Sequence, residues 1–144
     1  MNVLITNIGR RSYFVNYFLD LKKKFKKLNI HLADNTFFLA GMQSKKVYKH
    51  RIPKISEGEN KYIIKILKIV KKKKIKLIIP VTDFDLNILS KNKEKLKKLN
   101  CQTLISDNQL IKNLIDKKKC SDLCVQKKNT FTKSIFEFKR FKKK

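Results

Sequence analysis

Apolar residues in this chain come in two spacings that take turns from one end to the other. Val3, Leu4 and Ile5 form an unbroken run of the kind a parallel strand covered on both faces requires. Gly9 supplies the turn that follows. A helix then starts near Arg11 or Ser12 and runs to Lys27. Within it Phe14, Val15, Phe18, Leu21 and Phe25 recur near helical intervals, and Lys22, Lys23, Lys24, Lys26 and Lys27 lie on the opposite side. Asn29–Ala33 reads as a second strand, ending in Asp34, and Thr36–Ser44 as a loop with one turn of helix. Lys46–Ile52 is predicted to be an edge strand stopped by Pro53, its charges blocking sheet extension. Tyr62, Ile63, Ile66, Leu67, Ile69 and Val70 mark a helix over Glu59–Lys74. A fourth strand over Lys76–Ile79 is closed by Pro80, which has no N–H to give a sheet ladder. The remaining elements are a helix over Asp83–Asn100, a strand over Cys101–Ile105, a short helix over Asp107–Leu114 capped by Ser106 or Asp107, and a last helix over Asp116–Lys127.

Strands alternating with helices imply parallel pairing through right-handed crossovers. The expected fold class is α/β, a single Rossmann-like three-layer domain with a five-stranded, mainly parallel sheet. At 144 residues the chain suits one such domain. The expected division is a domain over 1–115, a linker helix over 116–130 and a flexible basic aromatic tail over 131–144. No apolar run approaches the roughly 20 residues a membrane-spanning helix requires.

Charge changes this picture less than its size suggests. The formal net charge is +26, from 37 Lys and Arg against 11 Asp and Glu, a balance that ordinarily suggests nucleic acid or an anionic membrane. Yet only four of the basic residues are Arg, at positions 10, 11, 51 and 140, and Ala occurs only at 33 and 40. Lys, Ile, Asn and Phe are inflated together, as an AT-rich coding sequence produces, with lysine filling solvent-facing positions. Nucleic-acid readers favour arginine with interleaved aromatics, because guanidinium forks onto phosphate and guanine while aromatics stack on bases. That pattern occurs only in the tail, where Phe131, Phe136, Phe138 and Phe141 alternate with Lys133, Lys139, Arg140 and Lys142. Nucleic acid is therefore not the favoured partner. Cys101, Cys120 and Cys124 form an odd set without a signal peptide before them, which fits reduced thiols in a cytoplasm. Cys120 and Cys124 stand one helical turn apart, but two thiols alone do not make a zinc site, and His31 and His50 have no matching spacing.

Candidate chemistry gathers at the carboxyl ends of strands one, two and four. These carry Asn7-Ile8-Gly9-Arg10-Arg11, Asp34-Asn35-Thr36 and Pro80-Val81-Thr82-Asp83-Phe84-Asp85, and in a doubly wound sheet the three loops meet over one crevice. Adjacent arginines stand out in a chain that otherwise uses lysine, and their planar donors suit a small carboxylate or phosphate. Their structural alternative is an ion pair to Asp34 or Asp83 that braces the loops. Asp34 sits where dinucleotide-binding folds place a ribose-binding acid, but Gly9 is the single glycine present of the three in that fingerprint. A nicotinamide or flavin cofactor is not expected. Asp83 and Asp85 at a helix start serve either as caps or as ligand contacts. Neither a nucleophile with its base nor a Walker-type phosphate loop is present.

At these residues the chain resembles the N-terminal pre-ATP-grasp domain of carbamoyl-phosphate-synthase-like ATP-grasp proteins. The resemblance rests on Gly9-Arg10-Arg11 after the first strand, Asp34 after the second, Pro80-Val81-Thr82-Asp83-Phe84-Asp85-Leu86 after the fourth, and Asp116-Lys117 opening the last helix. It implies a substrate-binding crevice formed by Gly9, Arg10, Arg11, Asp34, Asp83 and Asp85. It implies further that ATP and magnesium belong to a following ATP-grasp module, which activates a carboxylate as acyl phosphate for attack by an amine. No cofactor is expected in this chain itself, which ends at Lys144, before such a module could appear. The expectation is a truncated or split ligase, inactive alone, whose ATP-grasp module is encoded separately or lost. Two other readings stay open: a stand-alone module for a small anion or nucleotide, and a basic protein binding nucleic acid or an anionic surface.

Overall fold

The structure, a computed structural model, describes the backbone of residues 1–126 and the side chains of residues 1–122. The tail 131–144 and the Cys124 side chain lie outside the described residues. Five parallel strands form one sheet in the order β3-β2-β1-β4-β5: β1 Asn2–Thr6, β2 Asn29–Asp34, β3 Tyr48–Arg51, β4 Leu77–Pro80 and β5 Gln102–Thr103. This is the expected Rossmann-like α/β arrangement. β1 occupies the centre because it is apolar on both faces, with Val3, Leu4 and Ile5 at 1% exposure or less. β3, with its Lys, His and Arg, takes one edge, as its charges require.

Helices cover both faces. On one, α1 (Ser12–Lys24) and a single 3₁₀ turn at Ala40–Met42 bury Val15 and Met42 with Val3, Ile5, Ile8, Leu28, Ile30 and Leu32. On the other, α2 (Glu59–Lys73) packs beside α3 (Asp83–Lys91) and α4 (Lys93–Lys98), and Tyr62, Ile66, Ile88, Leu89 and Leu96 are fully buried. The segment predicted as one helix over Asp83–Asn100 is thus two. At the break the Asn92 side-chain amide donates to the Ile88 carbonyl at 2.9 Å, and this local bond competes with continuation of the helix.

The chain divides into two compact units, Met1–Ser106 and the segment from Asp107 onward. In the second, α5 (Asn108–Ile115) and α6 (Lys117–Gln126) pack on each other. Asp107 caps α5 by accepting the Leu110 N–H at 2.8 Å, and Asp116 accepts the N–H groups of Lys118 and Lys119 at 3.0 and 3.2 Å.

After β1 the backbone enters the left-handed region twice, at Asn7 (φ 48°) and Gly9 (φ 58°). Asparagine and glycine are the residues that tolerate it. The resulting turn is clamped from the side by the 3₁₀ turn, since the Gly41 N–H donates to the Gly9 carbonyl at 3.0 Å. Gly41 has no room for a side chain: a Cβ there would lie 2.8 Å from both the Gly9 carbonyl oxygen and Ile8 Cγ1. Gly41→Ala is therefore expected to destabilise the fold by about 1–3 kcal/mol, the usual cost of overpacking, because the nearest obstacle is backbone. Urea unfolding of the variant beside the parent measures it. A midpoint unchanged from the parent would show that the turn yields freely.

Candidate functional site

The order β3-β2-β1-β4-β5 reverses direction between β1 and β4, so the loops after these two strands flank the switch point where open α/β sheets bind ligands. Thr6 lies level with Ala33 of β2 and Pro80 of β4, which puts Asn7–Arg11, Asp34–Thr36 and Val81–Asp85 at one edge of the sheet. The three loops singled out in the sequence do come together. What their side chains do there differs from one residue to the next.

Asp34 is buried, and both of its carboxyl oxygens are engaged by backbone. Oδ2 accepts the Gly9 N–H at 2.9 Å and Oδ1 accepts the Asn35 N–H at 2.7 Å. The acid after β2 is thereby tied to the turn after β1. Held between Asp34 and Gly41, the Gly9 peptide is fixed at both its N–H and its carbonyl. The Arg11 guanidinium lies over it, with Nη1 3.5 Å from the point a Gly9 Cβ would occupy.

Arg10 is exposed and Arg11 half-buried. Among the described residues neither guanidinium has an ion pair or a hydrogen bond, so the bracing pairs to Asp34 or Asp83 do not form. Their donors are carried on the turn that Asp34 and Gly41 fix, with no acceptor among the described residues. Asp83 is exposed in the first turn of α3, beside Phe84 at 72% exposure, and across the edge Phe38 stands 94% exposed. The cap of α3 is Thr82, whose hydroxyl accepts the Asp85 N–H at 3.4 Å, so neither Asp83 nor Asp85 performs that task.

Asp85 turns inward and is fully buried. Its Oδ2 accepts the Thr6 hydroxyl at 2.9 Å, while Oδ1 accepts the Tyr62 hydroxyl at 2.8 Å and the Asn7 side-chain amide. The Asn7 amide also reaches the Tyr62 hydroxyl at 3.2 Å. One carboxylate therefore joins the end of β1, the first turns of α2 and the start of α3. Burial raises its pKa above the usual 3.8, opposed by the hydrogen bonds from Tyr62, Thr6 and Asn7. Burial, and then the neighbouring Asp85, push the Tyr62 hydroxyl well above the ordinary range.

From sequence, Thr6 and Tyr62 have no place in the site, and Asn7 enters only as the first residue of a crevice loop. Spacing assigns Tyr62 to the apolar face of α2, but its hydroxyl is the part that matters. A signal existed nonetheless, because a carboxylate in an apolar surrounding needs donors and these were the polar groups nearest the buried runs. Among the described residues no three His, Cys, Asp or Glu side chains gather as a metal site. Cys101 is buried, its thiol pushed up to about 11 by that burial, and Cys120 is half-buried. Among the described residues no helix is long and apolar enough to cross a membrane.

Asp85→Ala leaves the Thr6 and Tyr62 hydroxyls and the Asn7 amide without an acceptor, at about 1–3 kcal/mol for each buried group stranded. Loss of about 3 kcal/mol or more is expected, against a smaller loss for Asp85→Asn. The pH dependence carries a sign. A carboxyl whose pKa is raised on folding makes the folded chain bind the proton more tightly than the unfolded one. Stability contributed at this site therefore grows as pH falls from the raised value toward 3.8. The parent's advantage over Asp85→Asn should widen in that window, as urea titrations of both proteins at stepped pH will measure; a constant gap would place the proton elsewhere.

Comparison with known proteins fits this geometry. A search of curated proteins finds no significant match. The family model of the PylC-like N-terminal domain, a pre-ATP-grasp type domain of ATP-grasp ligases, matches residues 3–104. That stretch covers both clamps on the turn after β1 and all of the parallel sheet except Asn2, and on it the chain belongs to the PylC-like N-terminal domain family.

Proposed function

We propose that this chain is the substrate-side domain of an ATP-grasp carboxylate–amine ligase, of the carbamoyl-phosphate-synthase-like kind that its Gly-Arg-Arg turn resembles. Such a domain works with an ATP-grasp module, which binds ATP and magnesium and supplies the phosphoryl group that activates a carboxylate. The observation that carries the reading is the pair of guanidinium groups on a turn fixed by Asp34 and Gly41, at the switch point, with no carboxylate of the described residues bound to them. A chain this rich in lysine does not need two arginines there for solubility. Planar, permanently charged donors suit a substrate carboxylate or the phosphate that replaces it.

The remaining crevice residues divide the work. Gly9 and Asp34 preorganise the turn, Asp85 with Thr6, Asn7 and Tyr62 fixes its distance from the loop after β4, and Asp83 offers an exposed carboxylate to the ammonium of an amine substrate. Exposed Phe38 and Phe84 at the same edge give an apolar rim for the ATP-grasp module to cover. The reaction class is then acyl phosphate formation and displacement of phosphate by the amine, with this domain holding the substrates and the module performing the transfer.

Replacing Arg10 and Arg11 together by alanine should leave the unfolding midpoint near the parent's, since neither side chain has a bond within the described protein to lose. In a complex reconstituted with an ATP-grasp module, ADP release stimulated by the carboxylate and amine substrates should fall about tenfold or more in kcat/KM, as loss of charged hydrogen bonds predicts. Unchanged turnover would remove the pair from the site. Unfolding of the double variant would make the arginines braces.

A further inference from the structure

The outer edge of the sheet carries a second feature, independent of the crevice. Between β3 and α2 lies a cavity of about 430 Å³, within the size range of small-ligand sites, lined by Lys49, Arg51, Lys65, Lys68, Lys72 and Lys73 around Ile69, with His50 among them. Among the described residues no carboxylate lines it. Lys65, Lys68 and Lys72 recur at helical spacing on α2, and Lys49 and Arg51 come from β3, so cations of two elements converge on one concavity.

Lysine-rich composition alone does not produce this. A larger cavity of about 720 Å³ beside α1 is also lined by Lys22, Lys23 and Lys46, but there Asp20 takes part in the lining and pairs with Lys23 at 2.7 Å. The β3–α2 cavity lacks such compensation. A concave surface of one sign concentrates its potential inward, so the stable occupant is an anion carrying several charges in a small volume. From Lys65 to Lys73 is about 12 Å along the helix, which suits a short chain of phosphates better than a single one.

We propose that the β3–α2 cavity binds a short oligophosphate chain, free or carried on a nucleotide. His50 gives the site a built-in reporter. Its Nε2 lies 2.9 Å from His31 Nδ1 on β2, the two rings stack with centroids 5.2 Å apart, and Tyr48 of β3 stacks on His31 at 4.8 Å. Burial and then Lys73 and Lys65 of α2 hold His50 below its usual pKa, and His31 is lowered to about 4 by burial, His50 and Lys73. Phosphates placed among Lys49, Arg51, Lys65 and Lys73 offset that opposition. Binding therefore raises the His50 pKa, takes up protons, and strengthens as pH falls through the bound-state value toward the lower free-state one.

Calorimetry and thermal unfolding of the full chain with inorganic triphosphate, ATP and a DNA duplex, at near-physiological salt, test the proposal. One triphosphate should bind per chain and raise Tm. The variant Lys65→Gln/Lys68→Gln/Lys72→Gln should bind about tenfold or more weakly, while Lys24→Gln/Lys26→Gln/Lys95→Gln, which removes the same charge elsewhere, should bind like the parent. Equal affinity for triphosphate and ATP assigns the phosphate chain itself, and tighter ATP binding assigns a nucleotide. NMR titration of His50 in the parent chain, needing no variant, should show its pKa rise with triphosphate. Equal weakening in both triple variants, no saturable triphosphate binding, an unmoved His50, or duplex DNA preferred through the same lysines would each overturn it.

Discussion

Everything at the carboxyl edge of this sheet depends on one buried carboxylate. Asp85 has no solvent contact, so its carboxyl is tolerated there because the Thr6 and Tyr62 hydroxyls and the Asn7 amide all donate to it. Those donors come from the end of β1, the left-handed residue after it and the first turn of α2. Satisfying the acid therefore fixes where α3 begins relative to the turn that carries the arginines. A second carboxylate does the same one strand over, where Asp34 receives the Gly9 N–H. Two of the three acids in the crevice loops serve geometry, which is why the arginines, unpaired among the described residues, have a defined place on the turn.

This division explains why the fold was legible in the sequence and the site only partly so. The run Val3-Leu4-Ile5, the helical spacing of α2 and the charges of β3 each report burial, and burial follows residue type closely enough to mark a strand covered on both faces and a charged edge strand. Gly9 was readable because few residues tolerate a positive φ. The direction of Asp85 was not, since at a helix start one residue's rotation separates a cap from a core group, and Thr82 took the cap. The break at Asn92 was hidden for a related reason. Leu89 and Leu96 continue the apolar pattern across it, while the bond from Asn92 to Ile88 that divides α3 from α4 leaves no periodic trace.

Gly41 shows a different limit. From sequence it belonged to a loop with one helical turn, and nothing in its neighbourhood predicted that its backbone would touch Gly9 thirty-two residues away. In the fold its missing side chain is what lets the 3₁₀ turn reach the β1 turn at hydrogen-bonding distance. Close approach of two backbones is a property of tertiary structure, and glycine in one sequence announces only that it is permitted.

Composition posed the sharper problem. A net charge of +26 invites a polyanion reading, and a bias toward lysine at solvent positions dissolves it, yet both statements treat the charges as an average. In three dimensions the lysines are unequal. Those of α1 face outward beside Asp20, whereas Lys65, Lys68 and Lys72 join Arg51 and Lys49 around a concavity among whose described lining residues there is no acid. Drift can add a lysine wherever water will solvate it, but each further lysine in a confined space costs repulsion that a flat surface does not impose. Uncompensated convergence is thus the geometry that mutational bias explains least well, and its field reaches the half-buried His50 beneath it, whose pKa is lowered first by burial and then by Lys73 and Lys65.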